Sequence, residues 1–490
     1  MAKRKKKVPQ IQQDNVVFEA VLRPAESGRS MFDAEAMLTP DTIDQFKPPD
    51  GRGEQAAIQL QKRGFKIRHV GTFSVSGEGS RSQWEEVFGT KVEKRTQALS
   101  PAHPDLGEVT YWSHIPDTPF ALPPELSVLV ERAYPQLPPT FYESALPPRV
   151  GYHHLRVPND VALICRTPLV HQRGVTGKAV LVAMPDSGFY KHPFYIWRGH
   201  NYQATLSPDA IFVERDEVGH GTAEAANIFA NAPDIDFIGV KMGSNPTLAF
   251  KTASDLYPAV MTNSWGYDIP GAALPNFLRP LEAAVIQAVR DRGIVVCFSA
   301  GNGHYGFPAQ MPDVIAVGGV YAHENLSGTD FKLEASDYAS SFDSQIYPGR
   351  HVPDVCGLVG MKPRAVYIML PVEPGCQIDA GVGGGSYPNG DETAVDDGWA
   401  VISGTSAASP QIAGVCALLK QIQPSLPPSL VKAILRASAR DVKTGHSNQG
   451  QPAGEGHDGA TGAGLVDAFA AYQLARAVTP RNLNTVPPPN

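Results

Sequence analysis

Long apolar runs, paired cysteines and a strong charge of one sign are all missing from this sequence. No stretch of roughly 18 apolar residues occurs, so no transmembrane helix and no membrane partner are expected. The chain begins MAKRKKKVPQIQQDN. A secretory signal needs an apolar run after its basic start, and here Gln, Asp and Asn follow instead. Residues 1–14 therefore read as a disordered basic tail, with a tether to nucleic acid or acidic lipid as the sharper alternative. The five cysteines, Cys165, Cys297, Cys356, Cys376 and Cys416, are odd in number, scattered and without C-x-x-C spacing. Neither a disulfide framework nor a zinc site is expected from them. They read as reduced, mostly buried groups in a cytoplasmic protein. The formal net charge is only −7 over 490 residues, which argues against nucleic acid as a partner of the main body.

What is present is an ordinary globular composition, 42% hydrophobic and 19% charged, in a chain too long for one core. Residues 15–134 read as a compact α+β domain. FEAVLRP is strand-like, EQAAIQLQKRG helical, FKIRHVGTFSVSG one or two strands, SRSQWEEVFG helical and TKVEK a last strand. That β-α-β-β-α-β order predicts a split βαβ, ferredoxin-like sandwich. Residues 135–155 carry five prolines between Pro135 and Pro148 and read as an extended linker.

Residues 156–475 alternate apolar strands with helices. KAVLVAMP, DFIGVKM, AVMTNSW, IVVCFSAG and DVIAVGGV read as strands. GTAEAANIFANA, LEAAVIQAVRDRG, SAASPQIAGVCALLKQI and SLVKAILRASAR read as helices. The pattern predicts an α/β fold: a doubly wound, mostly parallel sheet covered on both faces. The Gly- and Asp-rich stretch 374–398 reads as a long surface loop, and residues 476–490 as a disordered tail.

Four short segments carry candidate chemistry. VLVAMPDSG ends a strand on Asp186, on the rim where α/β folds place their sites, although Asp-Ser-Gly is also a common turn. EVGHGTAEAANIF sets His220 between two glycines at the start of a helix, where another backbone can approach closely. CFSAGNG presents Asn302 on a tight turn, as an amide donor for a developing oxyanion or as a plain Asn-Gly turn. SGTSAASPQIAGVCALLK sets Ser406 at the mouth of an apolar helix, whose unpaired N–H groups and dipole favour negative charge beside its Oγ. The Ser406 N–H is a second candidate oxyanion donor. Pro410 is expected within about the first turn, where a missing N–H costs little.

Together these segments resemble the subtilisin-like serine peptidases, the subtilases. That family has D-[ST]-G, H-G-T-H-V-A-G, a G-N turn and G-T-S-M-A-x-P in this order. Here they stand as Asp186-Ser187-Gly188, His220-Gly221-Thr222, Gly301-Asn302 and Gly404-Thr405-Ser406 with Pro410. MTNSWG, GFPAQMPDVIAVGGV, HVPDVCG and GAGLVDAFAA resemble further family segments. The resemblance covers about 300 residues. It implies a subtilisin-like fold and a catalytic triad of Asp186, His220 and Ser406, with Asn302 at the oxyanion. It also implies substrate binding by Ser264, Trp265 and Gly266 and by Ser299, Ala300 and Gly301. The expected partner is a protein or peptide substrate. The expected pH dependence is a loss of activity as pH drops through roughly 6–7, where an ordinary imidazole gains its proton.

Along Ala223, Glu224, Ala225 and Ala226, where the family has His, Val, Ala and Gly, the chain keeps only the Ala at 225; it also departs at Ala407, where the family has Met, and at Pro185. FSVSGEGSRSQWEEVFGT resembles the prodomain of sedolisins, which share the subtilisin fold but place a Glu and an Asp four apart where subtilisins have His. His220 and Glu224 have that spacing, yet position 220 is His and Asn302 stands where sedolisins have Asp. The set reads as subtilisin behind a sedolisin-like prodomain, an intramolecular partner. Glu224 is expected on the helix surface or supporting the site without reacting. A sedolisin-type acid peptidase and a catalytically silent peptide-binding module are the alternatives. No cofactor is required by this chemistry. The family resemblance makes calcium a candidate, in the loop 390–397 or in GHDGATGAG, though neither has a recognisable ligand spacing.

Overall fold

Side chains along Val16–Leu22 alternate between buried and half-buried, as a strand with one covered face requires. The computed structural model describes residues 10–478 except 13, 34–35, 37, 39–41, 99–107, 117, 138–145 and 326–330. Most of the expected basic tail, the centre of the proline-rich linker and residues 479–490 lie outside the described residues. The chain divides into two compact units, Met1–Glu143 and Ser144–Asn490.

In the first unit an antiparallel sheet runs in the order Lys66–Val70, Ser74–Gly79, Val16–Leu22, Val130–Pro135. Helices Arg52–Lys62 and Arg81–Phe88 complete two interleaved β-α-β units. The prodomain-like motif is a folding motif here. Ser80 and Gln83 form a reciprocal capping box at the start of the second helix, and Trp84 and Phe88 pack on Phe18 and Phe65. The first five elements follow the expected order; the sixth does not. Val92–Ala98, which contains TKVEK's strand, pairs with Glu108–His114 in a separate sheet. Its sequence VEKRTQA offers little to bury beyond Val92, whereas Val130 and Ala133 seal the main sheet. Gln10–Gln12, expected in the tail, add to the free edge of Glu108–Thr110, where unpaired backbone groups accept a strand.

The second unit is built on an eight-stranded sheet. Its parallel strands run in the order Asn201–Leu206, Asp236–Lys241, Leu181–Asp186, Val260–Asn263, Val295–Ser299, Ile315–Ala322, Val355–Leu358, and Leu333–Ala335 joins antiparallel. Successive residues of the central strands face opposite sides. Val182, Met184, Val260, Val295 and Cys297 face one core, with the helices His220–Asn231 and Thr405–Ile422. Ala183, Met261, Val296 and Phe298 face the other, with Pro246–Ser254 and Arg279–Arg290. This is the expected α/β sheet covered on both faces. All five cysteines are buried and unpaired.

Two expectations in this unit fail. The stretch 374–398 is no plain surface loop: it holds the helix Gln377–Val382 and buries Asp379, Asp391 and Thr393. Asp391 accepts hydrogen bonds from Thr393 N at 3.0 Å and Val401 N at 2.8 Å, and Asp379 from Gly375 N at 2.9 Å and Gly398 N at 3.2 Å. These carboxylates supply the acceptors that a Gly-rich segment without a ladder lacks. The terminal helix Ala468–Ala477 also runs past residue 476, where the tail was expected to begin.

Candidate active site

Asp186 closes the Leu181–Asp186 strand, and its side chain is almost fully buried. Its Oδ1 lies 2.7 Å from His220 Nδ1 and accepts Ser187 N at 2.7 Å. Its Oδ2 is buried and makes no hydrogen bond. The imidazolium form of His220 is therefore the carboxylate's chief compensation for lost water. His220 opens its helix immediately after Gly219, which has φ +92°. A Cβ on Gly221 would stand 2.2 Å from the Gly188 carbonyl oxygen. Only glycine there lets the helix start settle onto the turn that carries Asp186.

Asp216 was not singled out in the sequence, yet it organises this helix start. Fully buried, it accepts hydrogen bonds from Gly219 N at 2.9 Å, Thr222 N at 2.8 Å, Thr222 Oγ1 at 2.7 Å and Ser187 Oγ at 2.8 Å. A carboxylate placed on the orphan N–H groups of a helix start offsets their loss of water and complements the dipole. The available signal was an acid a few residues before a helix-opening His, too common a pattern to single out.

Ser406 is the second residue of the Thr405–Ile422 helix. Pro410 lies inside that helix rather than in its first turn. The proline cannot supply the N–H that would bond the Ser406 carbonyl four residues back, and Ser264 Oγ donates to that carbonyl instead, at 2.8 Å. Ser406 Oγ donates to the Ser264 carbonyl at 3.2 Å, and it is not hydrogen-bonded to His220. The structure thus joins Asp186 to His220 and Ser406 to Ser264 while leaving the proton-transfer step from Ser406 to His220 unmade.

Asn302 is fixed by Thr405. Its Oδ1 accepts from Thr405 N at 3.0 Å and Thr405 Oγ1 at 3.1 Å, and Thr405 Oγ1 in turn accepts Gly301 N at 3.1 Å. With its oxygen occupied twice, the Asn302 amide has Nδ2 free to donate beside the start of the serine helix. A Cβ on Gly404 would approach Nδ2 to 3.0 Å, so glycine keeps that space open. The substrate-binding candidates lie on two neighbouring strand ends. Ser264, Trp265 and Gly266 follow Val260–Asn263, and Ala300 and Gly301 follow Val295–Ser299, which Ser299 closes. Trp265 is held by Nε1 donation to the Pro185 carbonyl at 3.0 Å and by its edge-to-face contact with Phe298.

The model of the subtilase family matches residues 177–456, more than half the chain and all four segments. The chain belongs to the subtilase family. It is a serine-type endopeptidase of that family, and its substrates are proteins or peptides. The M-protease of Shouchella clausii (strain KSM-K16) is 26% identical over 319 residues, covering 62% of this chain and 67% of that protein. Subtilisin Savinase of Lederbergia lenta is 25% identical over 319 residues, covering 62% of this chain and 95% of that one. The crystal structure of a lanthipeptide protease aligns with 20% identity and a TM-score of 0.46, covering 64% of this chain and 94% of that one.

In this subtilase three carboxyl groups act on His220. Burial alone would push its pKa down, but the charge and hydrogen bond of Asp186, with Glu224 and Asp216 behind them, raise it to about 10. The protonated form is favoured far above the free-imidazole range, so the acid limb of activity is expected above the pH 6–7 read from the sequence. Glu224 is neither on the helix surface nor exposed, with only 2% accessible. Burial raises its carboxyl to about 8, against the opposing pull of His220.

Proposed function

We propose that this subtilase cleaves peptide bonds through Asp186, His220 and Ser406. The Ser406 Oγ attacks the scissile carbonyl carbon while its proton passes to His220 Nε2. The resulting imidazolium is stabilised by Asp186 and returns the proton to the leaving amine, which departs as the C–N bond breaks. Water then repeats the sequence on the acyl-enzyme, releasing the acid and restoring Ser406. Asn302 Nδ2 and the Ser406 N–H face the oxyanion. The substrate lies extended along Ser264–Gly266, joined by main-chain hydrogen bonds, with Ser299, Ala300 and Gly301 on its other side.

The observation that carries this reading is the 2.7 Å pairing of Asp186 with His220, beside a serine helix whose first residue holds the Asn302 amide by its oxygen. Ser264 holding Ser406 Oγ corresponds to a resting state, from which rotation of one side chain frees the hydroxyl. The first unit acts as a prodomain that chaperones and inhibits the second. Its support is the motif FSVSGEGSRSQWEEVFGT, which here forms the capped helix and gives Trp84 and Phe88 to the aromatic core of a compact unit, and the proline-rich stretch that follows it.

The test is a fluorophosphonate label, which bonds only to an activated serine. Wild type is expected to label at Ser406 and to digest a general protein substrate, and Ser406→Ala to do neither. Digestion undiminished in Ser406→Ala rejects the assignment, and absence of label on wild type returns the silent binding module. An optimum near pH 3–4 instead favours acid-peptidase chemistry.

A further inference from the structure

We propose that Glu224 is a second carboxyl partner of His220, a positioning residue that holds the imidazole through Nε2 in the resting enzyme and sets the pH at which His220 is freed to act as a base. The inference rests on the triad reading above and goes beyond it, because the family motif H-G-T-H-V-A-G has valine at this position.

Residues 221–231 of the histidine helix are all buried. A carboxyl group in such surroundings loses its hydration and needs partners that restore it. One oxygen is provided for structurally. Glu224 Oε2 accepts Asn227 Nδ2 at 3.1 Å, Asn227 Oδ1 accepts Gln411 Nε2 at 3.3 Å, and Gln411 Oε1 accepts Leu358 N at 2.7 Å. This chain of amides ties the carboxyl to the serine helix and to the central sheet. The other oxygen, Oε1, lies 3.9 Å from His220 Nε2, the nitrogen that must receive the Ser406 proton. One helical turn separates the two residues, which places them on one face.

No other cation competes. Among the described residues His220 is the only ion-pair partner of Glu224. The titratable groups facing His220 are Asp186 from the neighbouring strand, Asp216 from the preceding loop and Glu224 from its own helix. Those facing Glu224 besides His220 and Asp186 are Tyr195 and Tyr338. Tyr195 donates to the Thr222 carbonyl, and the Tyr338 hydroxyl pairs with Ser403 Oγ at 3.1 Å. Three carboxyl groups therefore surround one imidazole, two of them at its two ring nitrogens. Once Glu224 ionises, the imidazolium is held at both ends, and only loss of its proton releases Nε2 to Ser406. The raised pKa values of both residues agree with this order of events.

The experiment uses the full chain with Glu224→Gln, which keeps the shape and removes the charge, and Glu224→Val, which installs the family's residue. The readouts are kcat/KM against pH on a peptide substrate, the rate of fluorophosphonate labelling at Ser406 against pH, and NMR titration of His220 in a Ser406→Ala background. Both variants are expected to move the acid limb and the His220 titration to lower pH by about one to three units. Activity near neutrality then rises while the alkaline plateau stays within a few-fold. A merely structural role would lower the plateau and leave the limb in place. An unmoved limb in folded Glu224→Gln, with Ser406 still labelling, overturns the proposal alone. If Glu224→Val does not fold, Glu224→Gln decides. Wild type that labels at no pH overturns the triad reading and this inference with it.

Discussion

The oxyanion role proposed for Asn302 depends on the orientation of one amide. Thr405 occupies its Oδ1 from both backbone and hydroxyl, so the amide cannot flip without leaving two donors unpaired. Asn302→Ala is expected to lower kcat by roughly 10²–10³ with KM little changed, a magnitude measured on a subtilisin. Steady-state kinetics checks it, and a loss confined to KM would show that the amide binds the ground state instead. The turn that presents Asn302 was legible in the sequence because Asn-Gly at a strand end is a recognisable signal. The link of Asn302 to Thr405 was not, since 103 residues separate the partners and their hydrogen bond exists only after the sheet has formed. For Glu224 the sequence left open the helix surface or a supporting place beside the site, and its burial rules out the first.

At the scale of elements, two members of the proposed triad, His220 and Ser406, depend on how a helix begins. The histidine helix is seated by Asp216, which satisfies two of its early N–H groups. Asp216→Ala leaves buried donors unpaired and is expected to destabilise the protein by about 2–3 kcal/mol. Activity is expected to fall further than unfolding alone explains, because His220 is the first residue of the loosened turn. Thermal unfolding and kcat measured below the transition separate the two effects, and an unchanged melting temperature would remove Asp216 from this role. The serine helix solves a different problem. Pro410 removes one intrahelical hydrogen bond, and Ser264 Oγ replaces it at the Ser406 carbonyl. The same substitution of partners ties the backbone of the proposed nucleophile to the strand end proposed to hold substrate. Most central strands and the two helices of the site were readable from periodicity, whereas Asn201–Leu206, Val355–Leu358 and the helix Pro246–Ser254 were not singled out. The misread pieces, Pro410's position and the loop 374–398, depend on where a helix starts and on which carboxylates find backbone donors.

At the scale of the whole molecule, the chain divides into two compact units, and the boundary between them falls in the proline-rich sequence. If the first unit is a prodomain removed by the second, purified wild type is expected to lose its N-terminal part by a cut within 134–155. Ser406→Ala is expected to stay at full length. Intact-mass measurement of both proteins checks this, and a fully active wild type with its N-terminus in place rejects release. The reading of the first unit shows what pattern alone leaves open. Its β-α-β-β-α order follows from local periodicity, but the closing strand was misassigned. VEKRTQA and VERAYP are both strand-like, and only the apolar demand of the shared sheet selects the second.

The sequence by itself determined which residues could react, in what order they occur and on which kind of element each sits, because short-range turn chemistry and side-chain periodicity are local properties of the chain. Only the tertiary structure decided which carboxyl groups share the imidazole, which hydroxyl holds the serine helix and which acids are buried. Those outcomes depend on desolvation and on charge–charge distance across elements far apart in the chain, quantities that come into being when the sheet and its helices close around the site.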